Sequence, residues 1–147
     1  LTLTLTLTLT LTLTLTLTPT RCAYYKVLVR PEEEERRAAF AELKKGLLGF
    51  IEGARGDFWG GNTLGLVDCM LLPYAYRLYV LEHYRGKDFA LPTSGEGGLW
   101  EQYHAWLDRA TALPYVARTL PDKDRYLLHV SRTRTRAHAH TRTRVTL

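Results

Sequence analysis

The stretch Gly65-Leu66-Val67-Asp68-Cys69-Met70-Leu71-Leu72-Pro73-Tyr74-Ala75-Tyr76-Arg77-Leu78 decides how the chain is read. From Leu64 through Tyr76 the only charge is Asp68. A segment apolar nearly all round predicts a helix, from about Gly65 to Tyr84, buried in the middle of a bundle. Pro73 falls inside it, removes a backbone donor and predicts a kink. Charge returns at Arg77, Glu82 and Arg85, so the far end surfaces. Asp68 is either a structural carboxylate at the helix start or a catalytic group. Apart from Cys69, no base, metal ligand or nucleophile stands at helical spacing from it, which favours the structural role. Cys69 faces another side of the helix and is expected to be a small buried hydrophobe.

Upstream, Arg30-Pro31 followed by Glu32, Glu33, Glu34 and Glu35 reads as a helix start. Proline in the first turn loses no needed hydrogen bond, and carboxylates suit the positive end of the macrodipole. Glu32–Arg36 and Glu33–Arg37 are spaced as i, i+4 ion pairs. Phe40, Leu43, Leu47, Ile51 and Ala54 then form one apolar stripe, with Gly53 and Gly56 at its end. The acidic run could also be imagined as a metal site, but no other ligand type lies near it. Asp57-Phe58-Trp59-Gly60-Gly61-Asn62 is a turn with two aromatic anchors. Before all these, Cys22 to Val29 reads as a stub of helix that needs tertiary support.

Downstream, Phe89 to Gly98 is a loop rich in Gly, Pro and Ser. Leu99 to Ala112 predicts a third helix with Leu99, Trp100, Tyr103, Trp106, Leu107 and Ala110 on its apolar face. Leu113-Pro114-Tyr115-Val116 leads into a short helical turn, and Pro121-Asp122-Lys123-Asp124 starts a last helix. The whole predicts an all-α bundle with short links.

The ends have a different character. Leu1–Thr18 is nine uninterrupted Leu-Thr pairs, and residues from Arg132 on are mostly Arg, Thr, Ala and His. The expected organisation is a Leu-Thr repeat over 1–20, a helical domain over 21–131 and a low-complexity tail over 132–147. Both ends are expected to be disordered. Arg-Thr and Ala-His are neighbouring frames of one CGCACA repeat, so the ends read as translated simple repeats. The central region is about 110 residues, enough for one core.

Five arginines of the tail account for the net charge of +5, because the other 15 Lys and Arg meet all 15 Asp and Glu. The central region is therefore neutral, which argues against nucleic-acid binding by the fold. His138 and His140 alone make no metal site. Two cysteines make no disulfide scaffold. No signal peptide is visible, and no apolar run approaches the roughly 20 residues of a membrane span. The chain starts at Leu1, and its only methionine is Met70, so a fragment or truncated gene model is expected.

Phe58-Trp59-Gly60-Gly61-Asn62, the spaced Asp68, Pro73, Arg77-Leu78, Leu99-Trp100, Trp106-Leu107, Pro114-Tyr115-Val116 and Leu120-Pro121-Asp122-Lys123-Asp124 follow in one order. Together they resemble the C-terminal helical domain of cytosolic glutathione transferases, most like the omega class, over about Cys22 to Val130. The resemblance implies a helix cap at Gly65 and Asp68, where the family's Ser or Thr is replaced by Gly65. It implies substrate-binding positions at Arg77 and Val29, with Arg77 read alternatively as a surface or interface arginine. The family's aromatic on the last helix aligns with Arg125, and Tyr126 beside it is the candidate substitute.

In this family a cysteine nucleophile and most of the glutathione site belong to an N-terminal thioredoxin-like domain that this sequence does not contain. Cys22 lies elsewhere, so no catalytic residue is carried over. The resemblance implies glutathione as co-substrate of the full enzyme, though not bound by this chain alone. It further implies the thioredoxin-like domain as partner, a possible homodimer, a cytoplasmic location and no membrane or nucleic-acid partner. The rival expectations are a non-catalytic protein-interaction module of the same fold and a gene-model fragment.

Overall fold

In the computed structural model, residues 18–132 are described, and their regular elements are helices. The expectations for the Leu-Thr repeat before Thr18 and for the tail beyond Arg132 lie outside the described residues. The chain divides into two compact units, one ending at Leu113 and one starting at Pro114.

In the first unit α1 (Thr18–Val29) packs along α2 (Glu33–Glu52). The expected stub is thus a twelve-residue helix, begun four residues earlier than the sequence suggested. Its ladder is completed by tertiary contact: Ala23, Tyr24, Val27 and Leu28 are buried. The Arg85 guanidinium donates from Nε to the Val27 carbonyl at 3.1 Å and from a terminal nitrogen to the Leu28 carbonyl. These are two of the carbonyls a helix leaves unpaired at its C-terminus.

α2 buries Phe40, Leu43, Leu47 and Ile51 of the predicted stripe, together with Ala39 and Phe50; Ala54, the expected last member, lies beyond the helix end at Glu52 and is half-buried. Glu33 and Arg37 form their i, i+4 pair at 2.6 Å. The Glu32–Arg36 pair does not form. Arg36 turns back to the C-terminal carbonyls of the preceding segment and donates to the Arg30 oxygen at 3.0 Å. The turn after α2 closes with Phe58 and Gly61 exchanging amide-to-carbonyl bonds at 2.8 and 3.1 Å. Gly56 is required there, since a Cβ would stand 2.9 Å from the Gly61 carbonyl.

The predicted single helix from Gly65 to Tyr84 is two: α3 (Leu66–Ala75) and α4 (Tyr79–Arg85). The break falls after Pro73, at Tyr76, Arg77 and Leu78. There the Arg77 amide bonds to the Tyr74 carbonyl and the Leu78 amide to the Ala75 carbonyl, three residues back instead of four. The tightened turn ends the α-helical ladder near the proline.

α3 also departs from the expected all-round burial. Val67, Asp68, Leu71, Leu72 and Ala75 are buried, whereas Leu66, Cys69, Met70 and Pro73 are exposed. The exposed set is an i, i+3, i+4, i+7 stripe of its own. Cys69, expected inside, is therefore outside. The reason is rotational: Asp68 is held inward by hydrogen bonds, and a residue one step along the helix is turned by about 100°.

α5 (Leu99–Ala112) spans the predicted residues, with Trp100, Tyr103, Trp106 and Ala110 buried. It packs on α2 and α3, and the Trp106 ring meets Phe50 edge-on at 4.8 Å. In the second unit, α6 (Pro114–Ala117) is a single turn and α7 covers residues 123–132. The start of α7 is capped by Asp122, whose carboxylate accepts the Arg125 amide at 2.9 Å. Among the described residues no helix is long and apolar enough to cross a membrane.

Candidate functional site

Two features of the first unit carry chemistry: a buried carboxylate and an open cavity. Asp68 is fully buried. Its Oδ2 accepts the Gly65 amide at 2.9 Å. Its Oδ1 accepts the Trp59 amide at 3.0 Å and the Trp106 indole Nε1 at 2.8 Å. The Gly65 bond is the carboxylate half of a capping box; glycine has no side chain to supply the other half. Three neutral donors leave the carboxylate little capacity for a substrate. The geometry describes a pin joining the Phe58–Gly61 turn, the start of α3 and the middle of α5. Sequence reasoning named Gly65 and Asp68 but missed the two tryptophan donors. The available signal was that a buried indole N–H seeks an acceptor, and Asp68 is the lone carboxylate of its segment.

The cavity, about 560 Å³, opens beside α1 and α3 and is lined by Cys22, Tyr25, Lys26, Val29, Arg30 and Tyr74. Buried Tyr24 stands behind the wall and meets Tyr25 and Tyr74 edge-on, with ring centroids 5.4 and 6.3 Å away. Helical spacing assembles the α1 side: Cys22, Lys26 and Arg30 are steps of four, and Cys22, Tyr25 and Val29 share the same broad face. Lys26 and Arg30 also suit the negative end of the α1 dipole. Lys26 pairs with Glu42 at 3.5 Å and Arg30 with Glu35 at 3.7 Å, all four side chains being about half exposed.

Of the residues singled out for substrate binding, Val29 is in the cavity wall and is 63% exposed. Arg77 is half-buried on the turn that ends α3, and it is not part of that wall. Tyr126 belongs to the second unit, half-buried on α7 with its ring 6.4 Å from His129. The sequence does not single out the wall residues Tyr25, Lys26, Arg30 and Tyr74, because a stub-length α1 and an α3 apolar on every side carry no signal of an open face. Cys22, set aside as a family nucleophile, lines the cavity as an exposed free thiol. Among the described residues no group of three or more His, Cys, Asp or Glu is placed to hold a metal.

The fold is glutathione-transferase-like, as a comparison with a solved structure shows. The structure of glutathione transferase Omega 3C from Trametes versicolor superposes on 77% of this chain with a TM-score of 0.63 and 23% sequence identity. The match covers 48% of that protein, so the chain spans about half its length. No protein-family model and no curated protein matches the chain.

Proposed function

We propose that this chain is the C-terminal helical domain of an omega-like glutathione transferase, an enzyme for glutathione-dependent thiol transfer or reduction in the cytoplasm. The observation that carries the reading is the fold shared with about half of a glutathione transferase Omega. In this reading the thioredoxin-like half binds glutathione and supplies the nucleophile, and the helical half supplies a wall for the second substrate. The cavity at Cys22, Tyr25, Val29 and Tyr74 suits that wall. By the resemblance Arg77, Val29 and Tyr126 are the substrate-binding candidates, and α1 belongs to a homodimer contact.

The apolar stripe Leu66, Cys69, Met70 and Pro73 supports docking of a companion domain. Leu66 and Met70 are 57% and 44% exposed, more than large apolar side chains of a self-sufficient core require. The chain alone is expected to show no thiol transfer and no retention on immobilised glutathione. Joined to the thioredoxin-like half of an omega enzyme, it is expected to restore activity above that half alone. Specific retention of the isolated chain on glutathione contradicts the division of labour. A fusion no more active than the thioredoxin-like half, with a protein partner recovered in stoichiometric amount, favours the rival reading of a non-catalytic interaction module using the same stripe.

A further inference from the structure

We infer that Arg85 is a positioning residue for the cavity wall. From α4 it completes the last turn of α1, in place of the donor that Pro31 lacks, and so fixes where Val29 and Arg30 stand. This placement is independent of what the cavity binds and of any companion domain.

The sequence creates the defect that Arg85 repairs. In an α-helix each carbonyl accepts the amide four residues on. For Val27 that residue is Pro31, which has no N–H. For Leu28 it is Glu32, whose backbone is already extended as the N-cap of α2, with φ −76° and ψ 133°. The α1 ladder therefore ends with the Arg30 amide on the Lys26 carbonyl at 3.0 Å. No glycine follows to close the end in the common way. Val27 and Leu28 are buried, and buried carbonyls need a partner.

That partner stands 58 residues from Val27. Arg85 is half-buried and is the last residue of α4, and Gly86, at φ +92°, turns the chain away directly after it. Its Nε donates to the Val27 carbonyl at 3.1 Å and a terminal nitrogen donates to the Leu28 carbonyl. A planar guanidinium spans two neighbouring carbonyls, which a lysine ammonium does not do with the same fixed geometry. Its positive charge also suits the C-terminal ends of both helices. Arg36 of α2 serves the next stretch, donating from one nitrogen to the Arg30 and Pro31 carbonyls. Val29 and Arg30, both in the cavity wall, are thus held between two guanidinium groups. One of these belongs to α4, so the end of α1 keeps its place only while α4 keeps its own.

The test is a double-mutant cycle on the full chain, read by NMR. Arg85→Gln is expected to speed hydrogen exchange of the Val29 and Arg30 amides about tenfold or more, the loss of hydrogen bonds from a charged donor. It should also shift the Val29 methyl resonances while leaving those of Leu43 and Leu47 in α2 in place. Arg85→Lys, which keeps the charge without the fork, should fall between wild type and Arg85→Gln. Pro31→Ala restores an amide at position 31 and frees Arg30 to take helical dihedrals. In that background Arg85→Gln is expected to speed exchange only about threefold, because the new amide serves the Val27 carbonyl. An equal effect of Arg85→Gln in both backgrounds would show that Arg85 does not stand in for the missing donor and would overturn the inference. Unmoved Val29 methyls in Arg85→Gln would equally overturn it, since the wall would then be placed by something else. Should Arg85→Gln fail to fold, Arg85→Lys with and without Pro31→Ala carries the same comparison.

Discussion

Asp68 and its neighbours on α3 invert the usual order of burial. A carboxylate is fully enclosed, while Leu66, two residues before it, and Met70, two residues after it, are 57% and 44% exposed. The inner face is held by hydrogen bonds to Trp59, Gly65 and Trp106, and by apolar contact through Val67, Leu71 and Ala75. The outer face has apolar residues and no cover among the described residues of its unit. The lesson is that hydropathy alone does not orient a helix that is apolar on every side. Its one polar group does, because an unpaired buried carboxylate costs more than an exposed methionine.

The contrast can be broken at its strongest point first. Asp68→Ala leaves the Trp106 indole and the Gly65 and Trp59 amides without their acceptor. It is expected to lower stability by about 3 kcal/mol or more. Urea unfolding followed by tryptophan fluorescence checks this. A cost below that of the outer-face variants would overturn the assignment of Asp68 as the pin.

Tyr103 tests whether every buried polar group on this side is as well served. It is fully buried on α5, and its hydroxyl meets no hydrogen-bond partner among the described residues. Burial raises its pKa above the ordinary phenol value of 10.0. The folded state therefore resists ionisation that the unfolded chain undergoes freely. Stability is whole below pH 10 and falls as pH rises above it. Tyr103→Phe removes the unpaired hydroxyl and is expected to gain roughly 1 kcal/mol. It should also flatten the decline in urea midpoint above pH 10. An unchanged alkaline decline would show that another group drives it.

Gly65→Ser sharpens the cap. Gly65 has extended backbone, φ −109° and ψ −179°, and a Cβ there meets nothing nearer than an Asp68 oxygen at 3.5 Å. The added hydroxyl supplies the missing half of the capping box and is expected to stabilise by a few tenths of a kcal/mol, about 0.5 at most. A small rise in thermal midpoint is the reading.

The outer face should respond least. Leu66→Ser with Met70→Ser is expected to change the urea midpoint of the isolated chain by less than about 0.5 kcal/mol equivalent. The same pair is expected to weaken association with a thioredoxin-like half, measured by titration calorimetry. A large loss of stability in the chain alone would mean that the stripe is covered by a part of this chain.

Much of the helical layout was legible because it is local. The acidic start of α2, its stripe from Phe40 to Ile51, and the whole span of α5 follow from 3.6-residue periodicity and end signals. The Pro73 interruption was also readable, although the extent of the break was not, since it depends on which carbonyls the following amides choose. The cavity was least legible. Tyr74 comes from α3, while Cys22, Tyr25, Lys26 and Val29 come from an α1 that lacks a strong pattern and is stabilised by α2 and by Arg85, and Arg30 follows directly after it.

Sequence by itself determined the all-helical class, because apolar spacing, capping residues and proline positions act within a few residues of one another. It also determined that Asp68 would stand at the start of a nearly uncharged helix. Only the tertiary structure decided that Trp106, 38 residues away, donates to it. That bond sets the rotation of α3, and the rotation turns Cys69 and Met70 to solvent.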